Sequence, residues 1–185
     1  MLVVWGARQA QGPTRVLVSQ AAIAAPGAPF TTRVLERSAP LDLSAPQALD
    51  QSGPPTRAAF AAETPIAAWQ TVVDGRSAVR TARLDGEPMT TTFPPAESDH
   101  AILDDLVVGP SGATALAWST VDRFGSVRPG FIATGPAGGP FDDVQQLPGV
   151  DGVTGIRLAY EPQGLLAAWN VRTRLAGSVM AAELR

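Results

Sequence analysis

Four tryptophans divide the chain, and the residues around them repeat. Trp5, Trp69, Trp118 and Trp169 are separated by 64, 49 and 51 residues. Three follow closely similar stretches, "PIAAW", "TALAW" and "GLLAAW", and the fourth follows "MLVVW". Nine to thirteen residues after each Trp comes a second apolar stretch that aligns on a valine: Val18, Val79, Val127 and Val179. A small residue stands three positions beyond it (Ala21, Ala82, Gly130, Ala182) and an aliphatic one five beyond (Ile23, Leu84, Ile132, Leu184). In three units a third signal follows, "APF", "EPM" or "GPF". Ahead of three Trp residues lie further apolar stretches, "RAAF", "LVVG" and "IRLAY", the last two followed by the turns "PSG" and "PQG". Self-similarity at a period of about 50 residues confines the fold to solenoids, propellers or arrays.

The content of each unit decides among these. Each full unit holds four short apolar segments separated by Gly, Pro, Asp and Ser, which is strand-and-turn punctuation. The Trp-to-Val distance is 13, 10, 9 and 10. A helix across that gap would lose phase with each change of length, whereas a hairpin loop absorbs it. The final "GLLAAWNVRTRLAGSVMAAELR" looks helical by its alanines, but its sister "GSVRPGFIA" carries Pro129 where it has Ala181, and proline is hostile to a helix interior. The expectation is all-β: a partial β-propeller of about 3.5 four-stranded antiparallel blades, with strands A to D running from the channel outward. The "AAW" stretches are B strands buried on both faces, with Trp as an anchor between blades.

The blades are expected at 1–36 (strands B to D), 56–94, 101–148 and 153–185 (strands A to C), with 37–55 a long connection between the first two. All of 1–185 forms one partial propeller. Rings close with 4 to 8 blades, and an open arc leaves apolar blade faces uncovered. The chain is therefore expected to be a fragment whose partners are the remaining blades of a parent chain, or else to self-associate through those faces.

The units resemble bacterial, actinobacterial-type propeller-repeat proteins with blades of the form "AWxxxxGxxxVxxAxRxxGGxF". The resemblance runs through nearly the whole chain but rests on packing and turn residues. It implies the fold and an extracellular or envelope location, with no particular activity. The sialidase Asp box, Ser-x-Asp-x-Gly-x-Thr-Trp, is not matched: "STVDRFGSV" has the residue types at other offsets and lies between strands B and C. WD40 and kelch signatures are absent as well.

Composition narrows function by exclusion. With 17 acidic and 14 basic residues the net charge is −3, so there is no basic footprint for nucleic acid. The 14 basic residues are all Arg. There is no Cys, hence no thiolate nucleophile or thiolate metal site. No apolar run reaches the roughly 20 residues of a membrane span. The start, "MLVVWGARQ", lacks the pattern of a signal peptide.

Charge clusters on the propeller face formed by the B–C and D–A connections. The binding candidates there are Asp74, Arg76, Asp99, His100, Asp122, Arg123, Arg172 and Arg174. The other face has only Glu63, Asp85, Glu87 and Glu161. Charged loops on a rigid scaffold are where ligands usually bind, although solvation alone also charges loops. His100 stands in "AESDHAILDD" among Glu97, Asp99, Asp104 and Asp105. That segment has no metal-loop spacing and reads as a solvated turn between blades. Tyr160 reads as core packing, and no second carboxylate is placed beside Glu161 as a glycosidase would need. No G-x-S-x-G, Rossmann or Walker motif occurs. Catalytic, cofactor and metal residues are therefore not assigned, and no cofactor is expected. The expected function is a non-catalytic scaffold or recognition module of a secreted or envelope protein, with a carbohydrate or protein ligand. The alternative is part of a propeller enzyme, a sialidase-like glycosidase or a lyase, with its site on the loop-rich face. A cytosolic interaction propeller is a third reading.

Overall fold

A computed structural model of the chain describes residues 2–7, 14–20, 31–38, 56–61, 64–73, 76–84, 91–93, 99–122, 124, 126–136, 140–148, 152–172 and 177–184. Among them are fourteen strands in four antiparallel sheets and no helix, hence none long and apolar enough to cross a membrane. Sheet I is β1 (Leu2–Ala7), β2 (Thr14–Gln20) and β3 (Thr31–Ser38). Sheet II is β4 (Thr56–Ala61), β5 (Thr64–Val73), β6 (Arg76–Arg83) and β7 (Thr91–Phe93). Sheet III is β8 (Asp99–Val108), β9 (Thr114–Asp122), β10 (Val127–Gly135) and β11 (Asp143–Gln146). Sheet IV is β12 (Val153–Glu161), β13 (Gly164–Arg172) and β14 (Gly177–Leu184). Strands neighbour one another in chain order within every sheet, and each sheet packs on the next. This is the partial propeller the repeat predicts, with three, four, four and three strands.

The cores lie between sheets. Trp69 and Ala67 of β5 are buried with Val16 of sheet I. Trp118 and Leu116 of β9 are buried with Ile66, Ala68 and Val79 of sheet II. Trp169 and Ala167 of β13 are buried with Ala115, Ala117 and Ile132 of sheet III. The Trp turns to the preceding sheet at all three junctions, and the residues one and three before Trp69 and Trp118 turn to the following one. This is the period-two alternation of a strand with both faces covered. β9 is accordingly buried at every position. A buried indole at roughly 25 cal/mol per Å² stabilises its junction by about 4–6 kcal/mol before entropy is charged against it. Trp118 also stacks on its cross-strand partner Phe131, ring centroids 5.5 Å apart.

Local chemistry explains the connections. Between β8 and β9, "GPSGA" closes a tight turn: Gly109 N–H donates to Ala113 O and Gly112 N–H to Gly109 O, at 2.8 and 2.9 Å. Gly112 adopts φ +82°, which a side chain disfavours.

Three details depart from the sequence reading. The stretch around His100, read as a solvated turn, is strand: β8 begins at Asp99 and runs through Asp104 and Asp105. In sheet III the repeat alignment slips after Val127, where β10 bulges before Gly130. Gly130, not Val127, takes the place of Val79 and Val179, because Gly130 lies one position before the partner of Trp118, as they do relative to the partners of Trp69 and Trp169. Finally, in sheet I the same place falls to Val16 and not to Val18, because Leu17 is the partner of Trp5.

Candidate functional site

The loop-rich end of the sheets is the site the sequence points to. Of its candidates, Asp74, Arg123 and Arg174 lie outside the described residues. Arg76 opens β6, Asp99 opens β8 and Arg172 closes β13, so all three sit at this end; only their backbone is described. His100 is half-buried and lies across from Val121 in the β8–β9 register, next to the Asp99–Asp122 pair. Asp122 closes β9 and is the best defined of the set.

Asp122 is an organiser of its own hairpin. One carboxylate oxygen accepts from the N–H of Phe124 at 2.8 Å and of Ser126 at 2.9 Å, and the other accepts from Arg128 Nη2 at 2.8 Å. Its own N–H donates to Ser126 O. This is an Asx-type turn closed by an ion pair. The Ser126 N–H is the largest influence holding the carboxyl below its ordinary range, with Phe124 N–H and Arg128 adding to it. The brace holds a tip at which Phe124 is 73% exposed.

A second cluster sits where the inner strands β4, β8 and β12 meet. Both β8 and β12 bulge there, between Leu103 and Asp105 and between Thr154 and Arg157. Bulges re-aim side chains and break the ladder. Asp105 Oδ2 accepts from Leu158 N–H at 3.0 Å and its Oδ1 from Leu106 N–H at 3.0 Å. In the other direction, Arg57 Nη2 of β4 and Arg157 Nη1 of β12 both donate to the Asp104 carbonyl, at 2.9 and 3.3 Å. One residue of β8 thus ties three sheets together. The Asp104 side chain is buried, and its Oδ2 has no hydrogen-bond partner. Burial pushes its carboxyl up to about 6, against the opposing pull of Ser119, the Arg157 charge and the Ile156 N–H. A carboxyl in that state can hold a proton near neutrality.

A third carboxylate bridges sheets I and II. Glu36 of β3 accepts from Trp69 Nε1 and Thr71 Oγ1, each at 2.5 Å, and pairs with Arg80 Nη1 at 3.1 Å. At the sheet III–IV junction the same indole N–H finds a backbone acceptor, Trp169 Nε1 donating to Pro148 O at 3.2 Å.

Asp104, Asp105, Arg57 and Arg157 are absent from the sequence-derived candidates. One signal does mark the residues of β8 and β12: the buried apolar positions of β8 run 101, 103, then 106, a slip of one in the alternation. β12 slips likewise, from Val153 to Ile156 and Leu158. Tyr160 packs its ring over Gly109, where a Cβ would meet Tyr160 Cγ at 2.8 Å, and belongs to the core, as the sequence reading has it. Among the described residues no three His, Asp or Glu side chains come together as a metal site.

No family model matches the chain, and no curated protein matches it. Among solved structures, the crystal structure of an endo-arabinase from Bacteroides thetaiotaomicron is similar to it at 14% identity and a TM-score of 0.45, over all of this chain and 70% of that one.

Proposed function

We infer that the chain is a non-catalytic propeller scaffold or recognition module of a secreted or envelope bacterial protein, binding a carbohydrate or protein ligand through its loop-rich end. One observation carries this reading: the hairpin after β9 is braced by a carboxylate fully engaged with its own loop, and the brace holds out an exposed aromatic, Phe124. A rigid hairpin with an aromatic at its tip suits binding, since the ring offers contact area at little cost in entropy. Asp105, Asp122 and Glu36 accept hydrogen bonds within the chain on both carboxylate oxygens, which leaves them poor candidates for acid–base chemistry. The location follows from the resemblance of the repeats alone.

The test is a binding screen of the wild type and Phe124→Ala against immobilised polysaccharides and cell-envelope proteins. A ligand held by the wild type and lost by Phe124→Ala, with unfolding unchanged, supports the reading. A ligand held equally by both removes the hairpin from the site.

The alternative, part of a propeller glycosidase or lyase, has one observation in its favour. Burial pushes the Asp104 carboxyl up to about 6, the direction in which a general acid is tuned. Release of reducing ends or unsaturated products by the wild type and not by Asp104→Asn would establish it and displace the binding reading.

A further inference from the structure

Two arginines meet at the inner edge of the sheets with much of their bonding capacity unspent. Strands β4, β8 and β12 are the first of sheets II, III and IV, and β8 packs against both of the others. Asp104 lies in the β8 bulge and has no register partner on β9. Its carbonyl accepts from Arg57 Nη2 at 2.9 Å and from Arg157 Nη1 at 3.3 Å. Each guanidinium also donates to the residue before it in its own strand, Arg57 Nη1 to Thr56 O at 3.0 Å and Arg157 Nη1 to Ile156 O at 2.9 Å.

Tying sheets together needs donors, and a neutral amide side chain supplies them. Two guanidiniums at a single oxygen add the repulsion of like charges, which a carbonyl dipole offsets only in part. A carboxylate is the usual remedy, yet among the described residues neither arginine is ion-paired. The acids at hand are placed otherwise. Asp105 turns its two oxygens to the N–H groups of Leu106 and Leu158, and the Asp104 carboxyl is buried, outside ion-pair distance of both arginines. Nε of Arg57, and Nε and Nη2 of Arg157, bond to no described residue. Arg57 is half-buried and Arg157 exposed, so a ligand can reach them. A guanidinium presents five donors in a planar fork, the shape that grips a carboxylate through two parallel bonds.

We propose that Arg57 and Arg157 together hold the carboxylate of an acidic saccharide at the inner edge of sheets II to IV. With Asp104 and Asp105 close by, the surplus of positive charge is small. It suits the single negative charge of a carboxylate better than the double charge of a phosphate. The saccharide part rests on the function proposed above, while the carboxylate part rests on the arginines alone.

The test is calorimetric titration at neutral pH with a galacturonate oligosaccharide and with its methyl ester, which differs in lacking the charge. The wild type should bind the acid and not the ester. Arg57→Gln and Arg157→Gln keep amide donors for the backbone carbonyls but remove the charge and the fork. Each should weaken binding by about tenfold or more, with urea unfolding used to confirm that the variant is folded. If Arg57→Gln does not fold, Arg157→Gln, at the exposed position, carries the same expectation. A wild type that binds neither probe, or binds acid and ester alike, overturns the proposal. So does displacement of the acid by an equal concentration of inorganic phosphate, the mark of an unselective anion site. Binding lost in Phe124→Ala but intact in both arginine variants also overturns it, and leaves the hairpin reading standing. Binding lost in the arginine variants supports the proposal whatever Phe124→Ala does.

Discussion

Replacing Asp104 with Asn should stabilise the protein, and should do so more at pH 8 than at pH 5. The carboxyl goes from 3.8 in an exposed chain to about 6 in the fold. Between those values the folded state holds a proton the unfolded chain has released, so stability falls as pH rises through that window. At about 1.4 kcal/mol for each pH unit between them, burying the charge costs about 3 kcal/mol at pH 8 and about half of that at pH 5. Asn keeps the shape and an acceptor oxygen but never ionises. The difference in unfolding free energy, variant minus wild type, should therefore grow by about 1.4 kcal/mol from pH 5 to pH 8. Urea unfolding followed by tryptophan fluorescence measures it, because Trp69, Trp118 and Trp169 are all buried at sheet junctions. Taking the difference cancels every group that titrates alike in both proteins. A flat difference, or one that shrinks toward pH 8, would refute the assignment of a buried, proton-holding carboxyl to β8.

Further outcomes follow from the same geometry. Gly130→Ala puts a Cβ 2.6 Å from Val153 Cγ1 and 2.9 Å from Ile156 Cδ1, so it should destabilise by about 1–3 kcal/mol in urea; Gly177→Ala, with nothing within 4 Å, should be neutral or stabilising by up to about 1 kcal/mol. Trp69→Phe removes the N–H that Glu36 accepts and should cost about 1.5–3 kcal/mol, beyond the loss of packing, in thermal or urea unfolding. Asp122→Ala should abolish hydrogen-exchange protection at the Phe124 and Ser126 amides while leaving the β9–β10 ladder protected. Because the Asp122 carboxyl is held below its ordinary range, that protection should persist at mildly acidic pH and fail only as pH drops through the lowered value.

The fold was legible because the signals that set it are local and repeated. "AAW" marks the strand buried on both faces, and the Pro and Gly turns bound it. Four imperfect copies let noise in one unit be read against the others. The slip at Val127 shows the limit: aligning letters puts Val127 over Val79, but the bulge before Gly130 moves the ladder on. The loop site was half legible. Its position at one end of the sheets follows from strand order, but the use of Asp122 does not, since the same Asp could face a ligand or its own hairpin. The inner cluster was hidden for a physical reason. Two adjacent Asp residues in a chain look like solvated charge, and only a bulge facing a second bulge on β12 turns them inward.

The orientation of the indoles has an evolutionary corollary. Trp69 hydrogen-bonds to the sheet before it and Trp169 to the connection that leaves the sheet before it, and all three described Trp side chains pack on the preceding sheet. Each unit thus brings its own contact with its predecessor. Tandem duplication of one unit would add a blade and the seam that fastens it in a single event, without any compensating change in the neighbours. Length in such an array can drift by whole blades while each new seam repeats the packing of the one it copies.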